Sequence, residues 1–509
     1  MGAEPTTQIA NMSIDTSGQQ LGIFDLHDLR VFGELYLAAS QSRLTLRTEE
    51  NADRLKVPNA VHGQLHDFTF VSCVDCKGGS VPSKRFGSKG QRSYSWNVFP
   101  HFIFFGNRHF NPINDKIVDV WFSVSDASLI FDDFDSYGIL DTSSVNVSDL
   151  IQESFGDRQI PLGPAPTLAY FGGRCDVLKV EVSEGSIVVQ HWPISEMGSS
   201  EGIRIRSQLK LGVRFRMPTE LSVCIEAVTK LAQFLSLVAG RSQGVSNVQV
   251  KVNGASEKER FFSVYWSLAP SVSSTEGVQY KPSFLDMPLD AIRRPEEFKE
   301  SLSAWWEAPP SHKLARARLH ACRSRGIKFD VDRLVAAANM FDLRVICGME
   351  EQQHDLIKVC TDCIKALKRL PKTDDRDSII MALSRVGTPS LRKKILMRAD
   401  IVKSRFVLDN LDEVLRLVVK CRNYFVHGDN DSSFNFATVK PFTTFFTETL
   451  EFVFAAAELI ECGWNSVAWK NEPHTASHWF CRYLNDYSKN SRDLLLASNN
   501  KKSKIDLPL

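Results

Sequence analysis

The 509-residue chain lacks any run of about 18 apolar residues, so its sequence predicts no membrane span. Met1 to Gln20 is polar, with neither a basic start nor an apolar core; this excludes a secretory signal and predicts a disordered stretch over residues 1–20. No Gly-x-x-x-x-Gly-Lys-Ser/Thr loop occurs, and no Gly-x-Gly-x-x-Gly follows a strand, so nucleotide binding by those devices is unsupported. Excess charge is missing too. The net charge of +1 gives no global pull on nucleic acid, and any such contact must come from local patches. The eleven cysteines are odd in number and scattered, which argues against a disulfide framework and for a reducing, cytoplasmic setting. No internal repeat is present, and the only biased tract is the polar, basic tail Asn499 to Lys504.

The chain does contain enough apolar residues, 43%, to bury the cores of two or three domains. Residues 21 to about 270 read mostly as strands. Asp67 to Cys73, Trp96 to Phe99 with His101 to Phe105, Lys116 to Val124, Val177 to Val182, Ser186 to Gln190, Lys210 to Arg216 and Asn247 to Val252 are rich in β-branched and aromatic residues. One helical pattern interrupts them between Pro218 and Ala239. Trp305, Trp306 and the Pro309-Pro310 pair mark a boundary, and the chain beyond it reads as helical. Asp330 to Leu370 forms one long helix or two, stopped by Pro371. Further helices are predicted near 376–386, 389–401 and 405–425, then one from Pro441 to Gly463.

The helix near 405–425 carries the most specific signal. Leu408, Leu411, Leu415 and Val418 recur on one helical face, and Arg422 is the next residue on it. Arg422-Asn423-Tyr424-Phe425-Val426-His427 follows, with Gly428 as a helix stop. A histidine exchanges protons near neutral pH. An arginine grips a phosphate with a planar fork of donors and stabilises the charge that builds in phosphoryl transfer. Together they are the parts of a metal-free RNA-cleaving site. Positions five apart lie about 140° apart on an ideal helix. Arg422 and His427 therefore converge only if the helix unwinds or ends near Gly428, or if a second copy of the chain completes the site.

A helical domain ending in Arg422-Asn423-x-x-x-His427-Gly428 resembles the HEPN superfamily, and the layout from roughly residue 20 to 480 is similar to the ApeA-like proteins of bacterial anti-phage defence. Leu450, Phe454, Leu459 and Ile460 resemble the apolar helix that closes such domains. The resemblance implies an α+β, multidomain chain. A β-rich N-terminal sensor or regulatory domain spans 21–305, an all-α HEPN helical bundle spans 311–485, and residues 486–509 form a polar tail. It further implies a metal-independent endoribonuclease that needs no cofactor. His427 would act as general base or acid, Arg422 would stabilise the phosphorane, and Asn423 would orient the phosphate or the histidine. The products would carry 2′,3′-cyclic phosphate and 5′-hydroxyl ends. The implied partners are RNA (tRNA in particular), a second copy joined through the HEPN helices, and a phage-derived trigger. Two rival readings use the same fold: a non-catalytic binding or dimerisation module, and a toxin–antitoxin partner that receives a transferred nucleotide group.

Two stretches free of acidic residues offer phosphate contacts: His312 to Lys328, with Lys313, Arg316, Arg318, Arg323 and Arg325, and the loop from Lys84 to Arg92, with Arg85 and Lys89. Cys73 and Cys76 could form half of a zinc site with Cys360 and Cys363, although cysteines on an apolar helix usually just pack. His474 and His478 sit after Pro473 without further ligands nearby and are assigned a structural role.

Overall fold

The computed structural model describes residue 14 and residues 18–48, 58–78, 84–86, 91–140, 147–164, 166–199, 202–254, 256, 260–272, 281–344, 354–384, 386, 389–428 and 434–499. The chain divides into two compact units. One comprises Met1–Ala239, Gln243–Val272 and Leu289–Glu307; the other comprises Gly240–Ser242, Ser273–Pro288 and Ala308–Leu509.

The first unit is built on one continuous, antiparallel, 13-stranded sheet. Five strands lead it: β1 (Gln19–Leu26), β2 (Leu29–Tyr36), β3 (Arg43–Thr48), β4 (Ala60–Leu65) and β5 (Phe70–Gly78). The 16-residue β6 (Gln91–Gly106) then pairs with β3 through Tyr94 to Val98 and with β5 through Val98 to Gly106. The order β6-β3-β2-β1-β4-β5 thus returns to β6 and closes a barrel. Closure leaves no barrel edge for another chain to pair with. Alternate residues, among them Phe24, Leu35, Leu44, Val61, Val71 and Trp96, fill its core. Phe24 fits there because both neighbouring strands carry glycine beside it. A Cβ on Gly33 would meet its ring at 2.4 Å, and one on Gly63 at 2.3 Å.

Phe102 to Phe105 of β6 also pair with Phe261–Trp266, which carries the sheet out of the barrel. The open part continues through Val245–Val252, Ile117–Val124, Leu209–Thr219, Gly185–His191 and Asp176–Val182. Helix α1 (Leu221–Ala239) packs on Ile117–Val124 and Leu209–Thr219, and α2 (Pro295–Glu307) covers it, with the Trp305 ring 5.8 Å from that of Phe234. Among the described residues, α1 is the one helix long and apolar enough to cross a bilayer. The sequence reading anticipated no such segment. Half of its most apolar window is buried within the unit, which suits a core helix.

The second unit is helical: α3 (Lys313–Arg323), α4 (Val331–Leu343), α5 (His354–Leu367), α6 (Asp374–Ser384), α7 (Leu391–Lys403), α8 (Leu411–His427), α9 (Thr443–Glu461) and α10 (Trp479–Asn499). The stretch before Pro371 is two helices rather than one. Pro441 lies in a 3-10 turn that feeds α9, and Gly463, at φ 103°, follows its end. Helix α9 is buried nearly all round, as a central helix should be, and packs against α4, α7, α8 and α10.

Two polar residues of that central helix, Glu451 and Glu458, are at most 1% exposed. Each is surrounded by arginines from other helices. Arg333 donates to Glu451 through Nε at 2.8 Å and Nη2 at 2.9 Å, and Arg323 adds Nη1 at 3.1 Å. Glu458 accepts from Arg316 Nε at 2.8 Å, Arg344 Nε at 3.1 Å and Arg398 Nη2 at 2.9 Å, with His312 Nδ1 at 3.6 Å. Burial alone would raise the Glu458 carboxyl; His312 and the guanidinium groups of Arg398 and Arg316 instead hold it far below the usual carboxylate range. A buried carboxylate is tolerated only with such partners.

Candidate active site

Helix α8 is oriented by Leu411, Val414, Leu415, Leu417, Val418 and Cys421, all buried. Its last turn leaves that core. Arg422 and Asn423 are half-buried, while Tyr424, Val426 and His427 are exposed. The helix runs through His427 and stops at Gly428, whose φ of 61° is the left-handed value that glycine adopts without strain. Tyr424 stacks on Phe436 with ring centroids 5.0 Å apart, and Phe425 meets the same ring edge-on at 4.9 Å. These contacts tie the helix end to the segment that leads into α9.

The Arg422 side chain wraps around the helix surface and gathers the motif. Its Nη1 donates to Asn423 Oδ1 at 3.2 Å and meets His427 Nε2 at 3.2 Å. The two ends of the motif therefore converge within one chain, at a helix that ends immediately after the histidine. Since Nη1 can only donate, Nε2 receives, which puts the imidazole proton on Nδ1. Asn423 was expected to orient the phosphate or the histidine; here its oxygen holds the arginine. On the other side of the guanidinium, Nη2 donates to Asn339 Oδ1 at 3.2 Å. Asn339 comes from the middle of α4, 83 residues earlier, and the sequence reading did not single it out. Its signal was faint: a polar residue facing inward on a helix that otherwise buries Leu334, Ala337, Ala338, Met340 and Phe341.

The two side-chain oxygens that accept from Arg422 are amide oxygens, of Asn423 and Asn339. Among the described residues Arg422 forms no ion pair, whereas the arginines around Glu451 and Glu458 all do. An uncompensated guanidinium at an exposed edge attracts an anion.

The basic stretch from His312 to Lys328 is distributed differently from the expectation. Arg316 is buried against Glu458, and Arg323 lies between Glu451 and the Trp479 ring, 4.2 Å from its centroid. Neither is available to RNA, because each neutralises a carboxylate that cannot reach water. Arg325 pairs with Asp330 at 2.9 Å across the surface. Lys313 and Arg318 are exposed on α3. In the second basic stretch, Lys89 lies outside the described residues and Arg85 belongs to a short strand that pairs with β6.

Other candidate sites are structural. Cys73 and Cys76 lie in the barrel core, where burial raises both thiols, Cys76 to about 12. Cys360 and Cys363 belong to α5 in the other unit, and every described cysteine is free. Asp286, His474 and Cys481 bring ligand-type atoms within 4.8 Å of one another. The Asp286 carboxylate, however, is already saturated by Thr475 N and Oγ1, Ser477 N and His478 N, so the cluster staples a loop. His474 stacks on Trp469, and His478 Nδ1 accepts from Phe480 N; the expectation of no further ligand nearby is corrected by Cys481 and Asp286, which lie beside His474.

Comparison with known families agrees with this architecture. A family model described as ApeA N-terminal domain 1 matches residues 21–305, and one described as Apea-like HEPN matches residues 344–467. No curated protein and no solved structure matches the chain. The HEPN match contains Arg422, Asn423 and His427 and begins just after α4, so Asn339 lies outside it. With more than half of its length matched by the first model and the motif helix inside the second, the chain belongs to the ApeA-like proteins, an ApeA N-terminal domain followed by a C-terminal HEPN domain.

Proposed function

We propose that the chain is a metal-independent endoribonuclease of anti-phage defence, with Arg422 and His427 as its catalytic pair. HEPN domains are generally ribonucleases, and the observation that carries the reading here is the contact between Arg422 Nη1 and His427 Nε2 at the exposed end of α8. In RNA the 2′-hydroxyl is the nucleophile, so the protein need supply only a base, an acid and a cation. As a phosphodiester enters, its non-bridging oxygens take the Nη hydrogens of Arg422 that Asn339 and Asn423 do not occupy, and the Nε2 lone pair is released. His427 Nε2 then accepts the 2′-hydroxyl proton while the 2′-oxygen attacks phosphorus. Arg422 neutralises the charge of the phosphorane. The P–O5′ bond breaks, leaving a 2′,3′-cyclic phosphate on one fragment and a 5′-hydroxyl on the other.

The departing 5′-oxygen needs a proton from an acid. One chain supplies one motif histidine, so a second copy joined through the HEPN helices would supply the other. Exposed Lys313 and Arg318 on α3 would add contacts to flanking phosphates. A cytoplasmic tRNA substrate and a phage-derived trigger, sensed by the N-terminal unit, complete the proposal.

The test is cleavage of total RNA in EDTA by wild type and His427→Ala, with end-group analysis. Cyclic-phosphate ends from wild type alone are expected. Equal cleavage by the variant would remove His427 from the mechanism.

A further inference from the structure

Helix α4 is fixed at both ends and carries two polar side chains between them, Asn339 and Asp342, the latter paired with Lys394 at 3.1 Å. At its start, Asp330 caps the helix by accepting from Arg333 N at 2.8 Å. The Arg333 side chain, fully buried, spans both oxygens of Glu451 on α9 and also donates to the carbonyls of Gly326 at 2.6 Å and Lys328 at 3.0 Å. At its end, Arg344 bonds Glu458 and Glu461 of the same helix, each at 3.1 Å. Arg333 and Arg344 are eleven residues apart and so share one helical face, while Asn339 lies about 120° round from it. That second face meets α8, and there Asn339 Oδ1 receives Arg422 Nη2.

We propose that Asn339 is a positioning residue for Arg422, and that α4 is the strut that holds it in place. The inference rests on the ribonuclease reading above and extends it to a residue outside the matched HEPN segment. Two asparagine oxygens, from Asn423 and Asn339, occupy one Nη each and fix the plane of the guanidinium. Fixing it with neutral acceptors leaves the full positive charge for phosphate. A carboxylate would orient Arg422 equally well and cancel that charge. The strut matters because a catalytic group must be held to a fraction of an ångström by its supports.

Two substitutions separate orientation from charge. Asn339→Leu removes the acceptor at similar volume and should lower kcat about tenfold with KM within about twofold. Asn339→Asp keeps the acceptor but pairs Arg422 with a negative charge, which weakens the cation toward both bound phosphate and phosphorane; KM should rise about fivefold or more and kcat should fall as well. A merely structural role would not divide the two effects in this way. If both variants keep wild-type kcat and KM while Arg422→Ala abolishes cleavage, the positioning role is overturned and the ribonuclease reading stands. If Arg422→Ala and His427→Ala cleave as wild type does, the reading itself falls. A second measurement is independent of turnover: the rate at which phenylglyoxal modifies Arg422, followed by peptide mapping. Asn339→Leu should raise that rate severalfold, and an unchanged rate would overturn the proposal.

Discussion

The helical unit uses arginine in two opposite ways. Around α9, Arg316, Arg323, Arg333, Arg344 and Arg398 surround two buried glutamates, and each contributes to packing the bundle. At the end of α8, the partners of Arg422 among the described residues are Asn339, Asn423 and His427, none of them a carboxylate. In the interior a matched pair avoids the large cost of a lone buried charge. At the rim an unmatched cation is affordable because water reaches it, and it stays available to an anionic ligand. The same side chain is a structural tie in one place and a candidate catalytic group in the other. What surrounds it makes the difference.

Breaking either side of this contrast has distinct consequences. Arg422→Ala should lower cleavage about a thousandfold, in the range typical for loss of a group that stabilises transition-state charge. Its unfolding midpoint should stay close to wild type, since no buried partner is orphaned. Glu451→Leu should do the reverse at first order. It leaves Arg333 buried without its carboxylate and should cost about 3–5 kcal/mol in chemical denaturation, with activity lost only through the unfolded fraction.

Acid should weaken the interior pairs. Glu458 is held below its ordinary value in the folded chain, so its contribution is full above the unfolded carboxyl pKa, about 4.3, and falls away as the pH drops further. Glu458→Gln should therefore be less stable at neutral pH, and its stability should change less than that of wild type between about pH 5 and 3. Smallest of all, Lys313→Ala or Arg318→Ala should weaken RNA binding modestly and reduce its salt slope by at most about 0.7 each on single strands. No change with either variant would remove α3 from the RNA path.

Much of the candidate site was legible in sequence because it depends on local periodicity. The apolar face of α8 and its glycine stop follow from spacing along one helix, as does the condition that the helix end near Gly428 for Arg422 and His427 to meet. The strands from Asp67 to Cys73 and from Lys116 to Val124 were legible for a similar reason, their dense β-branched and aromatic content. The first strands were less so, because Gly33 and Gly63 interrupt them for the sake of the Phe24 ring, and Gly22 for the close backbone of Gln64, contacts made across neighbouring strands. Closure of the barrel depends on both edges of β6, which no local pattern encodes. The role of Arg316 and Arg323 was misread for a like reason. A stretch with six lysines and arginines and no acidic residue looks like a phosphate track until two glutamates, more than 120 residues later, are seen to need it. Glu451 and Glu458, seven apart on an otherwise apolar helix, were the available clue: carboxylates at buried positions require cations from elsewhere in the chain.

Arg422, which forms no ion pair among the described residues, is expected to grip phosphate. Affinity of His427→Ala for a non-cleavable 2′-O-methyl RNA, measured across a range of salt with and without Arg422→Ala, addresses this without requiring turnover. The prediction is weaker binding and a salt slope reduced by about 0.7 when Arg422 is lost. Identical affinity and slope for the two proteins would contradict it.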